Sequence, residues 1–177
     1  LTTLHGQIPA VDLGEGVTSV NMGQPALEWD QVPLSENIPT LELPIEGSPT
    51  ATGMGNPHCT FFVEDAEKIN LEQMGPKFEN HPLFPERTNV QFASIKAPNQ
   101  IRMRVWERGV GVTLASGSSS CATAVAANRR GLTEKKVQIE LDGGILNINW
   151  LEDGVWMTGP TMKVFTGSFS KEFLNSL

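Results

Sequence analysis

The sequence contains no long apolar run. About 20 consecutive apolar residues are needed for a helix that spans a bilayer, and no stretch of this chain approaches that length. No signal-peptide pattern is visible at its start either. We therefore expect a protein that works away from membranes, in the cytoplasm.

Positive charge is also scarce. The chain has 13 Lys and Arg residues against 20 Asp and Glu residues, which gives a formal net charge of −7. A chain that binds a nucleic-acid backbone or an anionic lipid surface normally carries an excess of basic residues. The charge balance therefore excludes both as the main partner.

The chain has only two cysteines, Cys59 and Cys121. They could form a single bridge, but without a secretory signal we expect reduced thiols. No His, Cys or carboxylate residues show the spacing of a metal site. We therefore predict no metal and no disulfide.

The chain has 177 residues, which fits one domain, and its 17 glycines and 12 prolines predict many turns. It begins with Leu1 rather than methionine and enters a strand-like pattern at once, as a piece of a longer or trimmed chain would. We assign residues 1–169 to one domain and 170–177 to a tail.

Strands dominate the predicted secondary structure. Period-two or buried apolar patterns cover residues 4–13, 17–22, 40–45, 59–63, 88–95, 101–106, 137–141, 145–151, 155–158 and 163–169. One helix follows Asn70 as its N-cap, and a second covers about 117–130. The second helix carries small side chains on nearly every side. We therefore expect an α+β fold in which a strongly curved, mostly antiparallel, barrel-like sheet wraps around it.

The stretch 107–121 leads from a strand through a glycine-rich turn into that central helix. The first N–H groups of a helix have no internal partner and carry partial positive charge, so this order of elements favours an anion site. A hydroxyl, that of Ser116, stands at the helix start. An ordinary connection with serine capping remains the alternative at this point.

Polar residues begin two further strands, Asn56 and His58 at one and Asn89 at the other. A guanidinium such as that of Arg108 forms, with two Asn amides, a good cradle for a carboxylate. Glu107 would accept an ammonium. Alternatively, the asparagines close turns, the histidine is buried and satisfied, and Glu107 with Arg108 is a solvated pair.

The start of the helix at Gly117 and Ser118 would hold a second carboxylate. Taken with the carboxylate cradle and the acceptor for an ammonium, this second site describes a ligand with an amino-acid head at each end.

Four motifs in order resemble diaminopimelate epimerase: G-N-P-H-C at 55–59, P-E-R-T-N at 85–89, W-E-R-G-V-G-x-T-x-A-x-G-S-x-x-C-A-x-A-V at 106–125 and M-T-G-P at 157–160. The resemblance implies an isomerase that interconverts LL- and meso-diaminopimelate without a cofactor, on the route to lysine and peptidoglycan. It also implies a fold of two similar domains, with one catalytic cysteine from each domain facing the cleft between them.

The resemblance assigns roles to the motif residues. Asn56, Asn89 and Arg108 would bind the carboxylate at the non-reacting end of the substrate. Glu107 would hold the ammonium at that same end.

At the reacting carbon, the backbone N–H groups of Gly117 and Ser118 would bind the carboxylate, and His58 would lie nearby as a supporting polar group. Ser116 stands where the family has its second cysteine base. A serine hydroxyl is far less acidic than a thiol and the sequence shows no adjacent base, so we expect it not to abstract the α-proton. Cys121 is no substitute, since it lies about 7.5 Å further along the helix axis.

The chain resembles only the C-terminal domain of the family. We therefore expect a truncated, inactive half of an epimerase whose partners are diaminopimelate, the missing N-terminal domain in cis or in trans, and a second copy of itself through its exposed cleft face. Two alternatives are a non-catalytic amino-acid-binding module or pseudoenzyme, and a proline racemase-type isomerase or dehydratase.

Overall fold

A computed structural model describes residues 2–3 and 6–176 of the chain. Its strands are β1 (Thr2–Thr3), β2 (Gly6–Gln7), β3 (Ala10–Gly14), β4 (Val17–Asn21), β5 (Thr50–Gly53), β6 (Pro57–Phe62), β7 (Asn89–Ala97), β8 (Gln100–Glu107), β9 (Gly111–Thr113), β10 (Lys136–Leu141), β11 (Gly144–Leu151) and β12 (Gly154–Pro160). Its helices are α1 (Leu71–Glu79), α2 (Gly117–Arg129) and α3 (Lys171–Leu174), with a 3₁₀ turn at Ala66–Lys68. No helix among the described residues is long and apolar enough to cross a bilayer.

Ten strands form one sheet in the order β3-β4-β12-β11-β10-β8-β7-β6-β5, with β9 paired to β8. The pairs β6–β7 and β8–β10 are parallel, and the other pairs are antiparallel. Helix α2 contacts β5 near one end of this order and β12 near the other. The sheet must therefore curve around the helix, which confirms the predicted α+β architecture.

Helix α2 is buried along most of its length. Its residues from Ser119 to Ala127 are all buried, and they pack into an inner apolar cluster with strands that include Met103 of β8 and Ile139 of β10. An outer cluster on α1 includes Phe78, which packs against Phe61 and Phe92. The sheet thus has a core on each face, with one buried helix in the inner core.

The two cysteines lie in different cores, Cys59 in the outer cluster and Cys121 in the inner one. Both are free and buried in the structure. Burial raises the pKa of both thiols, that of Cys121 to about 12.

The predicted strand at 40–45 is wrong. The segment bends, although Leu43 and Ile45 are buried and Glu42 and Pro44 are exposed, as the alternating pattern indicated. Pro44 interrupts it, and proline cannot donate a hydrogen bond to a sheet. Its backbone closes locally instead, since Leu43 N donates to Pro49 O at 2.8 Å.

The strand predicted at 163–169 is also absent. Residues 161–170 carry no regular structure, and the expected tail contains the one-turn helix α3. Strands β5 and β9 were missed, because both fall in stretches of small and glycine-rich residues that favour loops. Of the strand predicted at 4–13, residues 4 and 5 lie outside the described part of the chain, and the rest forms β2 and β3.

Helix α1 packs against the strand that leads to the motif residues. A Cβ at Gly75 would overlap the Trp106 ring. Glycine is about 1 kcal/mol less favourable than alanine inside a helix, so this position gives up helix propensity to let the indole lie against the helix backbone.

We therefore predict that Gly75→Ala destabilises the protein by about 1–3 kcal/mol, as overpacking of a core does, although helix propensity alone favours the change. Urea unfolding measures the difference. The exposed Gln73→Ala on the same helix is the matched control, and it is expected to change stability by less than about 0.5 kcal/mol. A Gly75→Ala variant that is more stable than the parent would contradict the packing argument.

Candidate active site

The site forms where strand β8 ends and helix α2 begins. Glu107 is the last residue of β8, the chain turns back through β9, and Ser116 is the N-cap of α2. Ser116 is only 7% exposed. The β8–β9 hairpin thus brings Glu107 and Ser116, which are nine positions apart in the sequence, into contact.

Glu107 is held from both of its oxygens. Thr113 Oγ1 donates to Oε1 at 2.6 Å, and Ser116 Oγ donates to Oε2 at 3.0 Å. The expectation that no base adjoins Ser116 is therefore wrong. Sequence reasoning missed this contact because it depends on β9, which was not predicted.

Ser116 does not cap its own helix with its side chain. Its hydroxyl contacts Glu107 and also lies 2.9 Å from Ser119 Oγ, while its backbone oxygen accepts from Ser120 N at 3.1 Å. Helix geometry leaves the N–H groups of Gly117 and Ser118 without helical partners. The start of α2 therefore presents N–H donors and a hydroxyl on one side.

His58 is fully buried, and its ring lies within hydrogen-bond distance of three side chains, those of Asn56, Gln91 and Ser119. Its Nε2 lies 2.8 Å from Asn56 Oδ1, which can only accept, so Nε2 carries the proton. Its Nδ1 lies 3.0 Å from Gln91 Nε2, which donates to it. Burial first, and then the charge of Arg108, lower the pKa of His58 to about 3, so the ring is neutral at physiological pH.

Asn89 lies behind the site and fastens three strands together. Its side chain accepts from Arg108 N at 2.9 Å and donates to Pro57 O at 2.9 Å. The Arg108 guanidinium is held in turn by Glu86 O at 3.0 Å. Asn89 thus fixes the backbone that carries Arg108 while it is itself almost fully buried.

A cavity of about 700 Å³ opens beside these residues. Asn56 and Arg108 form part of its wall, together with Gln7, Ile8, Pro9, Asn21, Met22, Gly23, Met54, Gly55 and Asp153. The other predicted site residues do not line this cavity. The structure therefore groups them into a cavity wall of Asn56 and Arg108 and a second cluster of Ser116, Glu107 and the start of α2, with His58 hydrogen-bonded to Asn56 in between.

A carboxylate that sequence reasoning missed supports the turn after Arg108. Glu79, the last residue of α1, is 5% exposed. It accepts from Gly109 N at 2.8 Å, from Trp106 Nε1 at 2.6 Å and from Arg87 Nη1 at 3.2 Å. An acidic residue at a helix C-terminus is opposed by the helix dipole, and this mismatch was the available signal that Glu79 has another partner.

Metal binding finds no support in the geometry. Among residues 2–3 and 6–176, no three His, Cys, Asp or Glu side chains are grouped so that they could hold an ion. The chemistry available at the site is that of a carboxylate, a hydroxyl, a guanidinium, amides and helix N–H groups. Such a set binds carboxylates and ammonium groups and can move a proton.

Comparisons with known proteins identify the family of the chain. The family model described as diaminopimelate epimerase matches residues 50–164. The chain is 47% identical over 180 residues to a diaminopimelate epimerase of Acidiphilium cryptum, covering 98% of this chain and 65% of the relative. It is 52% identical over 165 residues to one of Rhodospirillum centenum, covering 90% of this chain and 57% of the relative.

Among solved structures, a probable proline racemase from Agrobacterium radiobacter superposes with a TM-score of 0.59 at 14% identity, covering 88% of this chain and 55% of that one. At that identity the likeness concerns the fold alone. The sequence matches reach further, because they extend over nearly the whole chain and include the residues of both groups described above. The chain therefore belongs to the diaminopimelate epimerase family.

Proposed function

We propose that this chain forms one wall of the active site of a cofactor-independent epimerase that interconverts LL- and meso-diaminopimelate, a step of lysine biosynthesis. The observation that carries the proposal is the pairing of Glu107 with Ser116 at the start of α2, beside a cavity walled by Asn56 and Arg108. The cluster at the start of α2 suits the reacting end of a diamino diacid, and the cavity wall suits its distant carboxylate.

In this proposal the distant carboxylate lies against Arg108 and Asn56, and Asn89 keeps the Arg108 backbone in place. The N–H groups of Gly117 and Ser118 receive the carboxylate at the reacting carbon. A helix N-terminus suits that carboxylate because partial positive charge there stabilises an anion without a side-chain cation.

The group at position 116 then faces the reacting carbon. A serine there is a poor base, because its hydroxyl is far less acidic than a thiol. Glu107 is an adjacent base, but a carboxylate is a far weaker base than an alkoxide, and its negative charge disfavours a second negative oxygen beside it. We therefore propose that the isolated chain binds substrate weakly and does not turn it over.

The first functional prediction concerns exchange of the α-proton of diaminopimelate in D₂O, followed by NMR. The unaltered chain is expected to show exchange of the α-proton at the background rate. Ser116→Cys, mixed with the portion of the Acidiphilium cryptum relative that this chain does not span, is expected to raise exchange at least 100-fold, since a positioned acid or base contributes about 10²–10⁴-fold.

Ser116→Ala in the same mixture is the matched control, and it should remain at background. Exchange by the unaltered chain alone would contradict the assignment of Ser116 as the inactive position. Failure of Ser116→Cys to restore exchange in a mixture shown to associate would contradict the proposed epimerase function itself.

We also propose that the segment after β12 contacts a companion domain. Met162, Val164, Phe165 and Phe169 are between 74% and 87% exposed. The chain spans 65% and 57% of the two relatives described above, so each relative has further chain that could cover these side chains. Burial of one large apolar side chain contributes about 1.5–3 kcal/mol.

Accordingly, Met162→Ser combined with Phe165→Ser is expected to weaken association with the remaining portion of the Acidiphilium cryptum relative by at least tenfold, measured by sedimentation. Because both side chains are exposed, the urea midpoint of the isolated chain should not change. Leu132→Ser, at an exposed position beyond the C-terminal end of α2 and so away from the site, is the control. A parent chain that light scattering shows to be a dimer, and that becomes a monomer in the Met162→Ser and Phe165→Ser variant, would instead support a homodimer.

The role of His58 is that of a neutral support, and its titration gives a test. Its pKa in the folded protein, about 3, is below the value of about 6.5 of an unfolded chain. Between these values the unfolded state binds the additional proton, so stability is complete above about pH 6.5 and falls as the pH decreases.

His58→Gln retains a donor and an acceptor but takes up no proton. The difference in unfolding free energy between the parent and this variant is expected to shift by about 1.4 kcal/mol per pH unit against the parent below pH 6.5. Urea unfolding at pH 7, 6 and 5 measures it. Parallel pH profiles would show that His58 is protonated in the folded protein.

A further inference from the structure

Ser119 lies one turn into helix α2 and is fully buried. Its hydroxyl is within hydrogen-bond distance of Ser116 Oγ at 2.9 Å and of Gln91 Nε2 at 3.1 Å. A buried hydroxyl at the start of a helix usually bonds to the helix backbone, as Ser120 Oγ does to Ser116 O at 2.8 Å. Ser119 differs from Ser120 because its partners are side chains of the site.

The orientation of the Gln91 amide is fixed by its other contacts. Thr60 Oγ1 donates to Gln91 Oε1 at 3.1 Å, so the Nε2 group faces the site. One of its two hydrogens goes to His58 Nδ1 at 3.0 Å and the other to Ser119 Oγ at 3.1 Å. Ser119 therefore receives a hydrogen bond from Gln91 and retains its own proton to donate.

Two side-chain atoms lie near that proton. His58 Nδ1 is 3.5 Å from Ser119 Oγ and already accepts from Gln91. In the structure Ser116 Oγ is the donor, to Glu107 Oε2 at 3.0 Å and to Ser119 Oγ at 2.9 Å. An atom at position 116 that has lost its proton can only accept. The Ser119 proton, whose acceptor His58 Nδ1 is 3.5 Å away, can then turn to that atom over the shorter distance of 2.9 Å.

We propose that Ser119 is a positioning residue that turns its hydroxyl to donate a hydrogen bond to the side-chain atom at position 116 when that atom is negatively charged, and so stabilises the charged form. Its importance for catalysis rests on the proposed function, but the hydrogen bond does not. A donor to the charged form lowers the pKa of an acid, and the start of α2 acts in the same direction.

The other charged or titratable groups around position 116 come from two strands. Glu107, at the end of β8, opposes a negative charge there, and Arg108 beside it favours one. His58, on β6, is neutral. Without Ser119 the atom at position 116 would face the Glu107 carboxylate with one donor fewer to offset the repulsion.

The test uses Ser116→Cys as a reporter, because the rate of thiol alkylation follows the thiolate fraction. The rate with iodoacetamide between pH 6 and 10 gives the thiol pKa. Adding Ser119→Ala is expected to raise that pKa by about one unit, which makes alkylation about tenfold slower on the acid side of the titration. The parent chain is the blank, since its two cysteines are 0% exposed whereas position 116 retains 7% exposure.

Ser120→Ala is the matched control, because the same substitution one residue along removes a buried hydroxyl that bonds only to the backbone. It is expected to leave the thiol pKa unchanged. Ser119→Thr should restore the low pKa, whereas Ser119→Val, of the same shape but without the hydroxyl, should not. This pair decides the question if Ser119→Ala does not fold.

An unchanged thiol pKa in folded Ser119→Ala or Ser119→Val would overturn the proposal, and so would an equal shift in Ser120→Ala. The measurement needs neither substrate nor a companion domain. Failure of the epimerase assignment would therefore leave the result intact, whereas restored proton exchange with an unchanged thiol pKa would remove the role of Ser119 and retain the epimerase.

Discussion

Burial of helix α2 inside the curved sheet is the constraint on which the rest of the structure depends. A helix with nine consecutive buried residues has the sheet close to it on nearly every side, so its own side chains must be small for the sheet to approach. Every polar group on that helix must also find a partner within the protein. The buried serines at its start therefore bond to the backbone or to side chains of the site, so the core holds those side chains in place.

The same burial explains why the first turn of α2 is well placed for chemistry. Its N–H groups lie at the edge of the inner core, and its position relative to β8 is set by packing on both sides of the helix. On the other face of the sheet, the Glu79 carboxylate holds the turn after Arg108 by accepting a hydrogen bond from Gly109 N. The two groups of site residues are thus held from opposite faces of one sheet.

Most of the sheet and both main helices could be predicted from the sequence, because period-two patterns and the Asn70 cap are local signals. Asn70 Oδ1 accepts from Gln73 N at 3.2 Å, as expected of an N-cap. The incorrect predictions concern segments whose structure depends on contacts between distant parts of the chain. The segment at 40–45 has the burial of a strand but not its hydrogen bonding, and the segment at 163–169 has the residues of a strand without a neighbouring strand in the described part of the chain.

Motif resemblance could identify the site residues but not their contacts. The pairing of Glu107 with Ser116 requires the β8–β9 hairpin, and the link from His58 to Ser119 passes through Gln91, which no motif included. Glu79 and Arg108 are 29 positions apart in the sequence, yet the buried carboxylate of the first holds the turn that follows the second. Such long-range polar contacts follow from the need to satisfy buried groups, and that need becomes visible only once the fold is known.

The polar network at position 116 therefore has to serve two requirements that conflict. A folded core favours neutral, fully paired groups, as His58 shows by remaining uncharged. Proton abstraction needs an atom that can become negative beside a carboxylate. The Ser119 hydroxyl reconciles the two, because it accepts the Ser116 proton in the resting state and, together with the start of α2, would stabilise a negative charge on a more acidic atom in place of the Ser116 oxygen. The arrangement around position 116 is suited to a thiolate even though a serine occupies it.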